Sequence, residues 1–92
     1  MIRSFHDKDT QALYEGRWVR RFVGIAAQAE RRLQILDSAT SLQDLAALPR
    51  NRLEALKGDR KGQHSIRIND QGRICFEWHV NGPYRVAVVD YH

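Results

Sequence analysis

Apolar residues recur at helical spacing in the first half of the chain and at alternate positions in the second half. Spacing by three and four predicts a helix from Ile25 to about Ser38, because it places apolar side chains on one helical face. That face comprises Ile25, Ala29, Leu33 and Leu36. Asp7 is a good N-cap for a shorter helix through Tyr14, which Gly16 ends. The first half is therefore predicted to be mainly helical.

Short elements are predicted on either side of the long helix. Residues 2–5 alternate apolar with polar side chains, which predicts a short opening strand. Thr40 or Ser41 can cap a further short helix that ends before Pro49, because the residue preceding a proline disfavours helical backbone. The basic stretch Arg17–Phe22 carries two aromatic side chains. We expect both as core anchors, with a contact between this basic stretch and an RNA as the alternative.

The second half of the chain is predicted to form strands. Apolar residues alternate there with polar ones, and a period of two is typical of half-buried strands. The strands are predicted at Arg52–Leu56, His64–Ile68, Arg73–His79 and Tyr84–Val89. Turn-forming residues at 69–72 and 81–83 make the last three an antiparallel meander. We expect an α+β fold in which N-terminal helices pack on one face of a mainly antiparallel sheet.

Strict alternation assigns the side chains of these strands to two faces of the sheet. The face toward the helices receives Ile66, Ile68, Ile74, Phe76 and Trp78. The opposite face receives Ser65, Arg67, Arg73, Cys75, Glu77 and His79. Arg67 and Arg73 are thus expected together on an open face, which is a natural platform for a single-stranded RNA backbone. Cys75 is expected to be a packed thiol with no redox role.

Composition and charge narrow the class of protein. The 92 residues suffice for one small domain, predicted to span residues 1–92. A net charge of +4 points to an anionic partner. Twelve of the fifteen basic residues are arginines, which suits RNA because guanidinium groups bind phosphates bidentately and stack on bases. Codon bias in a GC-rich genome is the alternative explanation of the arginine excess.

The remaining composition excludes several classes. Cys75 is the only cysteine, which excludes an internal disulfide and fits a reducing cytosol. No apolar run approaches the length of a membrane helix, and the N-terminus lacks the apolar core of a signal peptide. The four histidines show no metal-ligand spacing. The sequence predicts a soluble, cytoplasmic protein without a metal site.

The last three residues, Asp90, Tyr91 and His92, follow a predicted strand directly. A carboxylate, a phenol and an imidazole are side-chain types that proton-transfer catalysis uses. A strand docked in the sheet would hold them in place. Together with the segment 56–60 and Arg73, they indicate a small cationic site that handles phosphate without a metal.

Five segments taken in order carry a family resemblance: 1–5, Leu56-Lys57-Gly58-Asp59-Arg60-Lys61-Gly62, 65–69, 73–76 and 89–92. They resemble the HigB toxins, which are RelE-type toxins of bacterial toxin–antitoxin systems. The resemblance covers essentially the whole chain. It implies a compact RelE-type fold and a ribosome-dependent endoribonuclease, without a cofactor, that cuts mRNA in the ribosomal A site.

Residue by residue, the resemblance implies a catalytic set and an RNA-binding set. The catalytic set is Lys57, Arg73, Asp90, Tyr91 and His92, and the RNA-binding set is Arg60, Lys61 and Arg67. Two positions depart from the family pattern. Glu54 stands where some relatives have an active-site histidine, so one candidate proton carrier is missing or replaced by a carboxylate. Gly72 stands where many relatives have an aromatic residue, which is expected to loosen the turn that aims Arg73.

The reaction that the resemblance implies is transesterification without a metal, in which the RNA 2′-hydroxyl attacks the adjacent phosphorus. The implied partners are a helix-turn-helix antitoxin of the HigA type, the 70S ribosome with its 16S rRNA, and the mRNA substrate. Contact with operator DNA is implied only through the antitoxin complex, and no membrane partner is expected.

Two rival functions stay open on the sequence. One is a gyrase-inhibiting toxin of the ParE kind, which shares the RelE-type fold but not its nuclease site. The other is a non-catalytic RNA-binding or interaction domain of the same fold, which the departures at Glu54 and Gly72 favour. The tail Asp90-Tyr91-His92, together with Lys57 and Arg73, argues against the gyrase inhibitor.

Overall fold

The structure is a computed structural model that describes residues 1–90. Its α-helices are α1 (Lys8–Tyr14), α2 (Ala26–Ser38) and α3 (Leu42–Ala46). Its strands are β1 (Glu54–Ala55), β2 (His64–Asn69), β3 (Gly72–His79) and β4 (Gly82–Asp90). Three short 3₁₀ turns connect them, at Arg20–Phe22, Pro49–Asn51 and Gly58–Arg60. Among these residues, no helix has the length and apolar character that crossing a membrane requires.

The strands form one antiparallel sheet in the order β1-β2-β3-β4. This is the predicted meander, and two short turns set its register. The opening segment differs from its prediction. It runs parallel to β4 and forms a single bridge, between Phe5 and Val86, instead of a strand. Backbone hydrogen bonds from Arg3 to Pro83 and from His6 to Val86, both 2.9 Å long, hold it there.

The helices cover one face of the sheet and bury the core against it, which confirms the predicted α+β architecture. The helical contribution includes Leu13, Phe22, Ala29, Leu33 and Leu36, and the sheet contributes Ile66, Ile74, Phe76, Val86 and Val88. Thr10 of α1 ties the two layers together, because its hydroxyl accepts a 3.0 Å hydrogen bond from the amide of Val88. Asp7 caps α1 as predicted and accepts a 2.7 Å hydrogen bond from the Thr10 amide.

Two expectations about local structure are wrong. Phe22 is buried, but Trp18 is 74% exposed and is no core anchor. Trp18 follows the end of α1 in a segment without regular structure, so no helical face carries it into the core. The strand expected over Arg52–Leu56 shrinks to Glu54–Ala55. Arg52 adopts a left-handed backbone with φ of 43°, which an extended strand does not accommodate.

Candidate active site on the sheet

Arg73 is the best-anchored cation of the predicted site. Its Nε donates a 2.7 Å hydrogen bond to Oγ of Ser65, and its Nη2 donates one of 2.7 Å to the carbonyl of Arg52. Only 16% of its side chain is exposed. Within residues 1–90 the Nη1 nitrogen donates no hydrogen bond. The guanidinium is therefore fixed in orientation, with Nη1 open to an anionic ligand as far as residues 1–90 are concerned.

Glu54, the residue that departs from the family pattern, is part of this anchor. Its Oε1 lies 3.8 Å from Nη2 of Arg73, and the Glu54 side chain is 59% exposed. The antiparallel register pairs Glu54 with Ser65, so the carboxylate and the hydroxyl approach Arg73 from neighbouring strands. The Glu54 carboxylate thus adds a counter-ion to the Arg73 guanidinium.

The face that carries Arg73 is not the open platform that alternation predicts. Ser65, Cys75 and Ala87 lie side by side across β2, β3 and β4, and all three are buried. Burial raises the pKa of the Cys75 thiol, against the smaller lowering effects of the Arg60 and Arg73 charges. Cys75 is thus the packed thiol that the sequence predicts, and two of the predicted cations act on it electrostatically.

The three basic residues of the loop after β1 occupy different places. Lys57 is exposed, and its ammonium group makes no ion pair with a carboxylate of residues 1–90. Arg60 lines a groove with Asp90 at the end of β4. Lys61 lines another cleft, with Glu77 at the far end of β3. The structure thus brings Arg60, but not Lys61, toward the predicted catalytic end of the sheet.

Arg67 lies directly opposite Arg73 in the register of β2 and β3, so the two side chains share a sheet face as the sequence predicts. Its guanidinium forms an ion pair with Asp70 in the following turn. Arg67 also lines a groove on the side of α2. The two arginines therefore lie on the same face of the sheet, but their guanidinium groups have different neighbours.

The predicted tail is described as far as Asp90, and Tyr91 and His92 lie outside the described residues. Asp90 pairs with Gly72 and is half-buried. It lines a groove of about 390 Å³ together with Arg60, His6 and Arg21. Sequence reasoning did not place His6 or Arg21 here. No local signal could find them, because the parallel approach of the N-terminal segment to β4 brings them there.

Gly72 belongs to the sheet and not to the turn that precedes Arg73. It is buried and pairs with Asn69 on one side and Asp90 on the other. A Cβ at this position would lie 3.4 Å from the carbonyl oxygen of Val89 and 3.5 Å from Cδ1 of Ile25. The start of β3 is thus packed closely, and the expected loosening of the turn finds no support in the geometry.

A cluster of three or more histidine, cysteine, aspartate or glutamate side chains that could hold a metal ion does not occur among residues 1–90. Of the cations predicted for the catalytic site, the described residues include the guanidinium of Arg73 and the ammonium of Lys57, and Arg60 lines the groove that also holds His6, Arg21 and Asp90.

The family can be identified by comparison with known proteins. A sequence model described as the RelE-like toxin of the type II toxin–antitoxin system HigB matches residues 3–92. The chain belongs to the HigB-like toxin family. The resemblance drawn from the sequence segments is thereby confirmed.

Individual relatives agree with this family. Toxin HigB-1 of Vibrio cholerae serotype O1 is 38% identical over 94 residues, which cover 100% of this chain and 98% of the relative. Endoribonuclease HigB of Proteus vulgaris is 35% identical over 100 residues, which cover 100% of both chains.

A solved structure supports the fold. In the YoeB-YefM complex from Staphylococcus aureus, one chain superposes on this one with a TM-score of 0.62 and 19% identity. The superposition covers 100% of this chain and 98% of that one. The RelE-type α+β fold predicted from the sequence is therefore confirmed.

Proposed function

We propose that this HigB-like toxin is an endoribonuclease that cuts mRNA in the ribosomal A site and thereby inhibits translation and growth. The observation that carries the proposal is the anchored guanidinium of Arg73, which Ser65 and the carbonyl of Arg52 hold while no acceptor among residues 1–90 takes up its Nη1. The name of the Proteus vulgaris relative, Endoribonuclease HigB, supports the activity. The ribosome dependence rests on the family resemblance.

The proposed reaction needs only the RNA and protein side chains. The 2′-oxygen forms a bond to the adjacent phosphorus, and the bond from phosphorus to the 5′-oxygen of the next nucleotide breaks. The products are a 2′,3′-cyclic phosphate and a free 5′-hydroxyl. A base removes the proton of the 2′-hydroxyl, and an acid protonates the leaving 5′-oxygen. Cations must stabilise the additional negative charge on the phosphorane between these steps.

Arg73 and Lys57 suit charge stabilisation, because a preorganised cation acts where charge accumulates without reorganising during the reaction. His92 is proposed for one proton transfer, since an imidazole near its unperturbed pKa of about 6.5 can give or take a proton at neutral pH. Asp90 would orient His92 or serve as the base, and Tyr91 would stack on a base or position the sugar. Glu54 is a further candidate base beside Arg73.

Arg60, Lys61 and Arg67 are proposed to contact RNA around the cut. Arg60 has the most direct support, because it lines the same groove as Asp90. Membership of a toxin–antitoxin family assigns an antitoxin as a partner. We propose that it is a helix-turn-helix protein of the HigA type, and that the toxin acts on the 70S ribosome in the cytoplasm as a single domain over residues 1–92.

Primer extension on a defined mRNA in a purified translation system tests this function. Wild type should cut in register with codons and only when ribosomes are present. Arg73→Lys and removal of His92 should both abolish cutting. Lys8→Ala is the control, because Lys8 is an exposed lysine of α1 that the proposal assigns no role. A single 2′-deoxynucleotide 5′ of the cut should make that mRNA resistant, since the nucleophile is then missing.

Each outcome discriminates between functions. Cutting that persists without His92 would retain the nuclease but remove the tail from its chemistry. Cutting of the 2′-deoxy mRNA would refute the transesterification mechanism. Folded wild type that cuts no mRNA would refute the nuclease, and inhibition of purified gyrase by that protein would establish the alternative function.

A further inference from the structure

The groove that Asp90 shares with Arg60 also contains an imidazole from the N-terminal segment. His6 lines this groove and is exposed. Its amide donates a 2.9 Å hydrogen bond to the carbonyl of Val86, which ties the backbone of His6 to β4. Phe5 forms the parallel bridge to Val86 and packs against the core. Because side chains alternate along extended backbone, His6 lies on the opposite face, which points away from the helices.

The imidazole of His6 is open to a ligand. Within residues 1–90 no hydrogen bond, ion pair or ring contact engages it. The two other described histidines differ in this respect. Nε2 of His79 lies 3.1 Å from Oε1 of Glu77, and the ring of His64 stacks on that of Phe76. His6 is therefore the histidine of residues 1–90 that can give its ring nitrogens to a substrate.

A row of side chains on the face away from the helices leads from Glu54 to the groove of His6. The register pairs Glu54 with Ser65, and Ser65 with Cys75. Cys75 pairs with Ala87, which lines the groove together with His6. A carboxylate thus lies at the β1 end of this row and an imidazole at its β4 end.

Two guanidinium groups lie between these ends. Burial raises the pKa of the Cys75 thiol, and the charges of Arg60 and Arg73 lower it, so both cations act on the middle of the row. Nη2 of Arg73 is 3.8 Å from the carboxylate of Glu54 on one side. Arg60 lines the groove with His6 on the other side. The order along the face is therefore carboxylate, two cations, imidazole.

This order matches the geometry of the proposed cleavage. In an in-line displacement the attacking 2′-oxygen and the leaving 5′-oxygen lie on opposite sides of the phosphorus. A phosphorane held by the cations would therefore turn one oxygen toward β1 and the other toward β4. An ionised carboxylate accepts a proton, which suits the 2′-hydroxyl, whereas an imidazole can donate one at neutral pH. The leaving oxygen thus belongs on the side of His6.

We propose that His6 is a further catalytic residue whose protonated imidazole donates a proton to the leaving 5′-oxygen. The proposal rests on the proposed function, because it assigns one step of that cleavage. As the bond from phosphorus to the 5′-oxygen breaks, its electron pair stays on the oxygen, which takes the proton and leaves His6 neutral. The proton of the 2′-hydroxyl passes to one of the bases proposed above, and exchange with water restores both groups. The groove then holds the nucleotide that follows the cut.

An mRNA in which sulfur replaces the 5′-oxygen at the mapped cut tests this step. A thiolate leaves without a proton, so this mRNA needs no acid. The variant is His6→Gln, which keeps a polar side chain but cannot donate a proton as an acid. The control is His79→Gln, the same substitution at an exposed histidine that the proposal assigns no role. Single-turnover cleavage of both ribosome-bound mRNAs is measured for all three proteins.

The expected result is a loss that depends on the leaving atom. On the ordinary mRNA, His6→Gln should cut about 100-fold more slowly than wild type, the lower end of what acid–base catalysis contributes. On the sulfur mRNA, the variant and wild type should cut at equal rates. His79→Gln should match wild type on both mRNAs.

Other patterns would overturn the proposal. An equal loss on both mRNAs would show that His6 acts on a step other than departure of the leaving group. An unchanged rate on the ordinary mRNA, or the same loss in His79→Gln, would remove His6 from the reaction. If His6→Gln does not fold by circular dichroism, His6→Asn takes its place with the same expectations.

Failure of this inference differs from failure of the proposed function. A folded wild type that cuts no mRNA would refute the nuclease and the role of His6 together. A wild type that cuts mRNA no faster than His6→Gln would retain the nuclease and remove only His6.

Discussion

Ser65→Ala tests whether the orientation of Arg73 matters for the reaction. Oγ of Ser65 accepts a 2.7 Å hydrogen bond from Nε of Arg73, and Ser65 is fully buried. The substitution removes this acceptor and leaves the charge of Arg73 intact. The 2.7 Å hydrogen bond from Nη2 to the carbonyl of Arg52 also remains. Any loss of rate therefore reports on positioning.

The size of the effect follows from the hydrogen bond. A hydrogen bond to a charged group contributes about 1.5–3 kcal/mol. We expect the lower end, about 1.5 kcal/mol, because Arg73 keeps a second anchor and 16% of its side chain reaches solvent. Since 1.36 kcal/mol corresponds to a factor of ten, the rate of cleavage should fall about tenfold. The same loss should lower Tm by about 6–12 °C in a domain of this size.

The assay is single-turnover cleavage of ribosome-bound mRNA with toxin in excess, together with thermal unfolding. Positioning predicts a lower maximal single-turnover rate constant with little change in the toxin concentration that gives half of it, because the charge that Arg73 meets develops in the transition state. Cys75→Ala is the matched control, since Cys75 is the buried cross-strand neighbour of Ser65 on the same face. It should lower Tm by creating a small cavity and leave the cleavage rate unchanged.

A Ser65→Ala protein that loses stability as expected but cleaves at the wild-type rate would refute the reasoning. Arg73 would then reach its working position without the hydroxyl. A tenfold loss in Cys75→Ala as well would also refute it, because packing of the face, and not the hydrogen bond, would then control the rate.

Three further predictions concern stability. Thr10→Val should lower the free energy of unfolding by about 1–3 kcal/mol, because it leaves the buried amide of Val88 without an acceptor. Chemical denaturation measures the change, and an unchanged midpoint would contradict the prediction. Asn51→Ala should also lower the free energy of unfolding by about 1–3 kcal/mol, because it leaves the carbonyl of Leu45 without its hydrogen-bond donor. A lower Tm would show this loss. Hydrogen bonds at the start of α3 lower the pKa of Asp44 from 3.8. Its contribution to stability should therefore be complete well above pH 3.8 and disappear as pH falls through the lowered pKa, so Asp44→Asn should flatten the acid side of the stability curve.

Local pattern was sufficient for most of the fold. The helix predicted from Ile25 is α2, and the strands predicted from residue 64 onward are β2, β3 and β4 with small changes at their ends. Short turns join these strands, so pairing them requires no long-range information. The shared sheet face of Arg67 and Arg73 followed from alternation alone, and the structure added their direct pairing. The predicted start of the first strand was wrong, because the left-handed backbone of Arg52 is incompatible with the extended conformation that the alternating pattern indicates.

Contacts between distant segments had no signal in the sequence. The departure at Glu54 was visible, but its place 3.8 Å from Arg73 depends on how β1 docks beside β2. The exposure of Trp18 likewise had no local signal. Phe22 is the aromatic side chain of its segment that is buried in the core, and Trp18 remains exposed.

From the sequence we could predict the long helix, the meander, the family and a set of candidate catalytic residues, because period, turn chemistry and ordered motifs are properties of neighbouring residues. What surrounds those residues became known from the tertiary structure. That structure assembled the anchor of Arg73 from the segment 52–54 and from Ser65 of β2, and it brought Arg60 and Asp90 to one groove. Charges on separate elements become one site only when packing brings the elements together, and no local pattern records that distance.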